Sequence, residues 1–174
     1  VTGVQTCALP IYSILGLLYQ WLKRQHERAI AEAERGIMLD PNSAYGHFIL
    51  GSILGFAGRP AEGIELVKKA MRLNPRYPAD FANSLGWCYL LTGQPEEAVV
   101  ALKDAIARNP NFLPAHANLA VTYVELGQDT EAQAEAAEVL RISPDASIEI
   151  WRRMAPFKDP AVVERIANGM RRSE

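Results

Sequence analysis

Residues 79–110 read ADFANSLGWCYLLTGQPEEAVVALKDAIARNP, and the punctuation inside this stretch decides the fold. Its first half, ADFANSLGWCYLLTG, spaces apolar residues at helical intervals. Gly93 then offers a left-handed residue that ends a helix without a Cβ penalty. Pro95 suits the first turn of a second helix, where no backbone N–H is required. The second half sets Ala98, Leu102, Ala105 and Ile106 on one face, and Pro110 blocks continuation. The stretch therefore predicts helix, tight turn, helix, stop.

The same punctuation recurs along the chain. Pro41, Pro75, Pro110 and Pro144 close the segments RGIMLDP, KAMRLNP, DAIARNP and EVLRISP, at spacings of 34, 35 and 34 residues. A small residue recurs in register ahead of them at Gly16, Gly51, Gly86 and Ala120, and a third series runs through Gly58, Gly93 and Gly127. Three registers with one period mark internal repeats. The units fall at about 12–42, 43–77, 78–111 and 112–144. Beyond Pro144 the period stops. SIEIWRRM reads as one further helix, broken by Pro156, and Asp159-Pro160 is a capped start for AVVERIANGMRR. Residues 145–174 are thus expected to form two C-terminal helices that cap the open end of the stack. The predicted fold is all-α: four helix-turn-helix repeats plus this pair.

Composition narrows function mainly by exclusion. The 174 residues carry a net charge of −2 with both signs interspersed, so no basic stripe points to nucleic acid or an anionic membrane. The two cysteines, Cys7 and Cys88, fit neither a disulfide framework nor a paired zinc motif, which makes a reducing, cytoplasmic setting the expectation. No Lys or Arg precedes Lys23, whereas a signal peptide needs a positive charge ahead of its apolar run. Thr2, Gly3, Gln5, Thr6, Pro10, Ser13 and Gly16 interrupt the apolar run that a membrane span needs. His26, His47 and His116 fall at repeat positions that take large packing residues, and Cys88 reads as a small buried thiol. No metal, phosphate-loop or nucleophile motif is present, so no catalytic residue, metal or cofactor is expected.

The repeat resembles the tetratricopeptide (TPR) motif: an aromatic, Leu-Gly, Tyr, then Ala-x-x-x-Phe and a closing Pro. The third unit matches through Ala82, Leu85-Gly86, Tyr89, Ala98, Leu102, Ala105 and Pro110. The fourth matches through His116, Leu119-Ala120, Tyr123, Ala132, Ala136 and Pro144. The second has His47, Leu50-Gly51, Leu54, Val67, Ala70 and Pro75, with Gly63 where alanine is usual. The first has Tyr12, Leu15-Gly16, Tyr19, Ala29, Ala33 and Pro41, with a turn one residue longer. The resemblance implies an α-α superhelix whose concave face is lined by first helices and holds another protein.

By that resemblance the second, fifth, ninth and thirteenth positions of each first helix face the groove. They are Ser13, Leu17 and Trp21; Tyr45, Phe48, Ser52 and Phe56; Asp80, Asn83, Trp87 and Leu91; Ala117, Val121 and Glu125. Trp21 and Phe56 read equally well as core between repeats. The expected partner-binding set is Tyr45, Phe48, Ser52, Asn83, Trp87, Ala117 and Val121, with Tyr45, Phe48 and Trp87 as aromatic anchors and Asn83 as a backbone-holding amide. TPR domains that grip acidic chaperone tails place Lys, Asn and Arg in the groove. Here the matching residues are Ser13, Leu17, Ile49, Asp80 and Ser84, which implies a neutral or apolar peptide or helix as ligand.

A narrower resemblance covers about residues 12–170. KRQHERAIAEAERGIMLDP, NPNFLPAHANLAVTYVELG and PFKDPAVVERI are similar to the C-terminal repeat region of bacterial class III adenylate/guanylate cyclase-like proteins. It implies a second role, as a regulatory or self-associating segment that contacts an upstream domain of a longer signalling protein. Residues 1–11, VTGVQTCALPI, resemble a translated sequencing adapter and are expected to be a non-native leader, with the natural protein beginning further upstream.

Overall fold

The computed structural model describes residue 12, residues 14–22 and residues 24–173; the expected leader at 1–11 and the groove position Ser13 lie outside the described residues. The described residues are helical with no strand. They form two compact units, each taken by itself: the described residues up to 77 with 156–158, and residues 78–155 with 159–173.

The first unit contains α1 (14–21), α2 (His26–Leu39), α3 (Ala44–Phe56) and α4 (Pro60–Leu73). The second contains α5 (Ala79–Leu91), α6 (Pro95–Arg108), α7 (Leu113–Glu125), α8 (Asp129–Ile142), α9 (Ile148–Met154) and α10 (Pro160–Ser173). First and second helices of a repeat pair as antiparallel hairpins, α3 with α4, α5 with α6 and α7 with α8.

Each hairpin turn is built the same way. Gly58, Gly93 and Gly127 adopt φ of +84°, +70° and +71°. The residue after each glycine donates its amide back to the first helix: Arg59 to Leu54 O at 2.8 Å, Gln94 to Tyr89 O at 3.0 Å and Gln128 to Tyr123 O at 2.9 Å. These bonds satisfy carbonyls that a helix end leaves open. In the first hairpin the extra residue puts Arg24 in the left-handed role, at φ 49°, and Gln25 donates to Tyr19 O at 3.0 Å.

The stop before each closing proline carries a second device. The residue before a proline is driven out of helical φ/ψ, and Asp40, Asn74 and Asn109 are indeed non-helical. Their side chains then accept the amide two residues on: Asn42 to Asp40 at 3.0 Å, Arg76 to Asn74 at 3.2 Å and Asn111 to Asn109 at 3.1 Å. Such Asx turns replace the helical bonds that proline removes.

The small-residue series marks where paired helices touch. A Cβ added at Gly86 would lie 2.6 Å from Leu102 Cγ and 3.2 Å from Ala98 O; one at Gly51 would lie 2.8 Å from Val67 Cγ2 and 2.9 Å from Gly63 O. Around these contacts sit the cores, Ile49, Ile53, Leu54 and Val67 in the first unit, and Phe81, Leu90, Leu102, Leu119 and Ile166 in the second. Gly86→Ala gains roughly 1 kcal/mol of helix propensity but overpacks the contact with Leu102 and the Ala98 carbonyl, and a nearest approach of 2.6 Å puts that cost at the upper end of the usual range, about 2–3 kcal/mol. We expect a net loss of about 1–2 kcal/mol and a melting temperature lower by roughly 2–8 °C; an unchanged thermal melt would contradict the close approach of the two helices.

Candidate functional site

The positions expected to face a groove lie on the first helices. In the first unit Tyr45 stands at the start of α3, 48% exposed, with its ring 5.7 Å from that of Phe48. Phe48 itself is buried. Ser52, half-buried, donates its Oγ to Phe48 O at 3.0 Å. Trp21 and Phe56, the last residues of α1 and α3, meet edge to face at 5.6 Å.

Residues 156–158 complete this face. Phe157 packs against Phe56 at 5.0 Å between ring centroids. Buried Gln20 donates Nε2 to Pro156 O at 2.9 Å and to His26 Nδ1 at 3.2 Å. Burial first, and the Lys158 ammonium second, hold His26 below the usual imidazole value, in keeping with a neutral ring that accepts at Nδ1. The repeat register does not point to Gln20, Phe157 or Lys158 as groove residues. Their one signal in the sequence is an aromatic set between Pro156 and Lys158 in a largely polar tail.

In the second unit the groove positions are more deeply covered. Trp87 is 5% exposed and Val121 is fully buried. A Cβ added at Gly169 of α10 would lie 3.0 Å from Val121 Cγ1, and Arg165 pairs with Glu125 at 3.6 Å, so α10 runs along the groove face of α7. A cavity of about 660 Å³ lies between the fourth hairpin and the C-terminal pair, lined by Ala117, Ala136, Leu140, Ile148, Trp151 and Met170 among others. Asn83 is half-buried, and its Oδ1 accepts from Asn118 Nδ2 at 2.9 Å, which fixes its amide plane.

Two of the histidines hold the frame. His47 Nε2 donates to Pro41 O at 2.9 Å and His116 Nε2 to Pro110 O at 3.1 Å, so the same repeat position ties each first helix to the proline closing the repeat before it. His116 Nδ1 also lies 2.6 Å from Glu135 Oε2. Cys88 is buried, and burial raises its thiol pKa to about 12, which leaves it unreactive.

Asp80, expected to face the groove, is a carboxylate in an unfavourable setting. Its Oδ1 is buried without a hydrogen-bond partner among the described residues. Burial raises its pKa, opposed by the amides of Asp80 and Phe81. A raised folded value means that its stabilising contribution is complete below the unfolded pKa and is lost as pH rises through the folded one. Asp80→Asn should therefore raise the melting temperature at neutral pH, with no gain at about pH 3, where the carboxyl is largely protonated in both states. A lower melting temperature at neutral pH would show instead that the charge is stabilised by its surroundings.

Among the described residues no helix is long and apolar enough to cross a membrane. Three models described as tetratricopeptide repeat match residues 9–43, 50–111 and 89–155. Anaphase-promoting complex subunit 7 of Dictyostelium discoideum is 24% identical over 123 residues, 71% of this chain; the chain spans only 20% of that relative. Among solved structures, a thermophilic TPR protein of Thermus thermophilus superposes with a TM-score of 0.72 at 22% identity, covering 94% of this chain and 99% of the other. YrrB, a TPR protein with an unusual peptide-binding site, gives 0.61 at 20% identity, covering 93% and 82%. At these identities the two structures speak for the fold alone, an all-α superhelix class. Repeat register, hairpin geometry and family matches agree, and the chain belongs to the tetratricopeptide repeat family.

Proposed function

We propose that the chain is a protein-interaction scaffold whose groove faces bind a neutral or apolar peptide or helix. The observation that carries this reading is the aromatic face of the first unit, where Trp21 and Phe56 stand beside Phe157 and Tyr45 remains half-exposed. Aromatic side chains of this kind anchor interfaces because they bury large area with few rotatable bonds. Tyr45, Phe48, Ser52, Asn83, Trp87 and Ala117 are the groove residues assigned to this role, without catalysis, while Val121, buried against α10, supports the face from within.

A second reading has its own observation. Ile14, Leu18 and Leu22 recur at helical spacing along α1 and the residue that follows it, and all three are exposed. Such an apolar stripe favours association with another surface, in keeping with the likeness to the repeat region of bacterial cyclase-like proteins. In that reading the chain is a cytoplasmic regulatory or oligomerisation segment of a longer bacterial signalling protein, packed on an upstream domain or a second copy.

One comparison separates the two. Immobilised chain is used to recover partners from a bacterial lysate, alongside the double variant Tyr45→Ala, Trp21→Ala, whose wild-type residues are 48% and 44% exposed. Loss of two anchors worth about 2 kcal/mol each is expected to cut recovery by more than ~100-fold with the fold retained. Undiminished recovery, abolished instead by Ile14→Glu and Leu18→Glu, would favour the second reading.

A further inference from the structure

The groove face of the first unit already holds a short piece of its own chain. Pro156 and Phe157 are buried there, with the side chain of Lys158 exposed. Three different contacts secure three consecutive residues. Gln20 donates Nε2 to Pro156 O at 2.9 Å, Phe157 enters the aromatic pair of Phe56 and Trp21, and Lys158 N–H donates to Phe56 O at 3.0 Å. Phe56 is the last residue of α3, whose carbonyl a helix leaves without an internal partner. Outside the pocket, Lys158 Nζ meets Glu27 Oε1 at 3.2 Å.

A side-chain amide on the backbone carbonyl, an aromatic pocket, a carbonyl on the backbone amide and a carboxylate therefore succeed one another at single-residue spacing. That is the composition of a peptide subsite: main-chain hydrogen bonds hold the segment while a side-chain pocket sets specificity. The resident segment fills it imperfectly. Gln20 Oε1 is buried without a partner among the described residues, and Pro156 has no N–H to offer it. Trp21 is still 44% exposed.

We propose that this face recognises a short segment of a partner protein that carries an aromatic residue followed by Lys or Arg, and that Pro156-Phe157-Lys158 is a resident copy competing for the site. The proposal rests on the groove-binding reading above and specifies its ligand. A partner whose residue before the aromatic carries an N–H has a donor for Gln20 Oε1 that the resident segment lacks.

The test titrates a fluorescent peptide with the sequence of residues 154–161, MAPFKDPA, into the full chain and its Phe157→Ala variant, read by anisotropy. Removing the resident ring should tighten peptide binding by ~10-fold or more, because a site occupied most of the time reports a weakened apparent affinity. The same peptide carrying Phe157→Ala should bind neither chain. Adding Glu27→Lys to the Phe157→Ala chain should weaken the peptide several-fold, and a peptide with Lys158→Glu should recover that loss. A Phe157→Ala chain that melts cooperatively yet binds no tighter than wild type overturns the proposal. Should Phe157→Ala lose the fold, Lys158→Glu replaces it, with tighter binding than wild type expected and equal binding contradictory. Partner capture that depends on Tyr45 and Trp21, together with no binding of this peptide, overturns the ligand pattern and leaves the groove reading standing. Peptide binding as expected, with capture indifferent to those residues, does the reverse.

Discussion

Everything else in each unit depends on how closely paired helices approach at one repeated position. At Gly51 and Gly86 the opposing helix is near enough that a single added carbon would fall inside 3 Å of Val67 or Leu102. This distance sets where the first helix lies on the second, and so which of its side chains enter the core and which are left on the groove face. Ala120 holds the same place in the fourth repeat and is buried there. Apolar burial supplies the driving force, but the small residue decides its geometry.

The repeats are also tied end to end within each unit by polar contacts of fixed design. A histidine in the next first helix donates to the closing proline's carbonyl, and an Asx turn replaces the bonds that proline forfeits. Each closing proline's carbonyl thereby gains a side-chain partner on the following helix. Second-helix residues of the fourth repeat line a cavity, and α1 carries its apolar stripe outward.

The repeats were legible because their determinants are local. Gly93, Pro95 and Pro110 act on their own backbone, and a period near 34 residues multiplies a weak signal four times. The Asx residues Asp40, Asn74 and Asn109 stood in the same register and complete that local logic. The groove set was legible only as a face. Register placed Tyr45, Phe48, Trp87 and Val121 on one side of their helices, but depth depends on what lies above them. Val121 is sealed by α10, whose AVVERIANGM pattern reveals an apolar side without naming its neighbour. Pro156-Phe157-Lys158 was least legible of all. Three residues outside any helix have no periodicity, and their meaning resides in Gln20, Phe56 and Glu27, far away in the sequence.

In the first unit a segment of the same chain covers this face, held by a ring contact and a main-chain hydrogen bond. Phe157 lies against the ring of Phe56, and the Lys158 amide is bonded to the Phe56 carbonyl. Solution NMR of the full chain tests this directly. The predicted result is cross-relaxation between the Phe157 and Phe56 ring protons, at a centroid separation of 5.0 Å, together with slow exchange of the Lys158 amide. A rapidly exchanging Lys158 amide and no contact between those rings would contradict it.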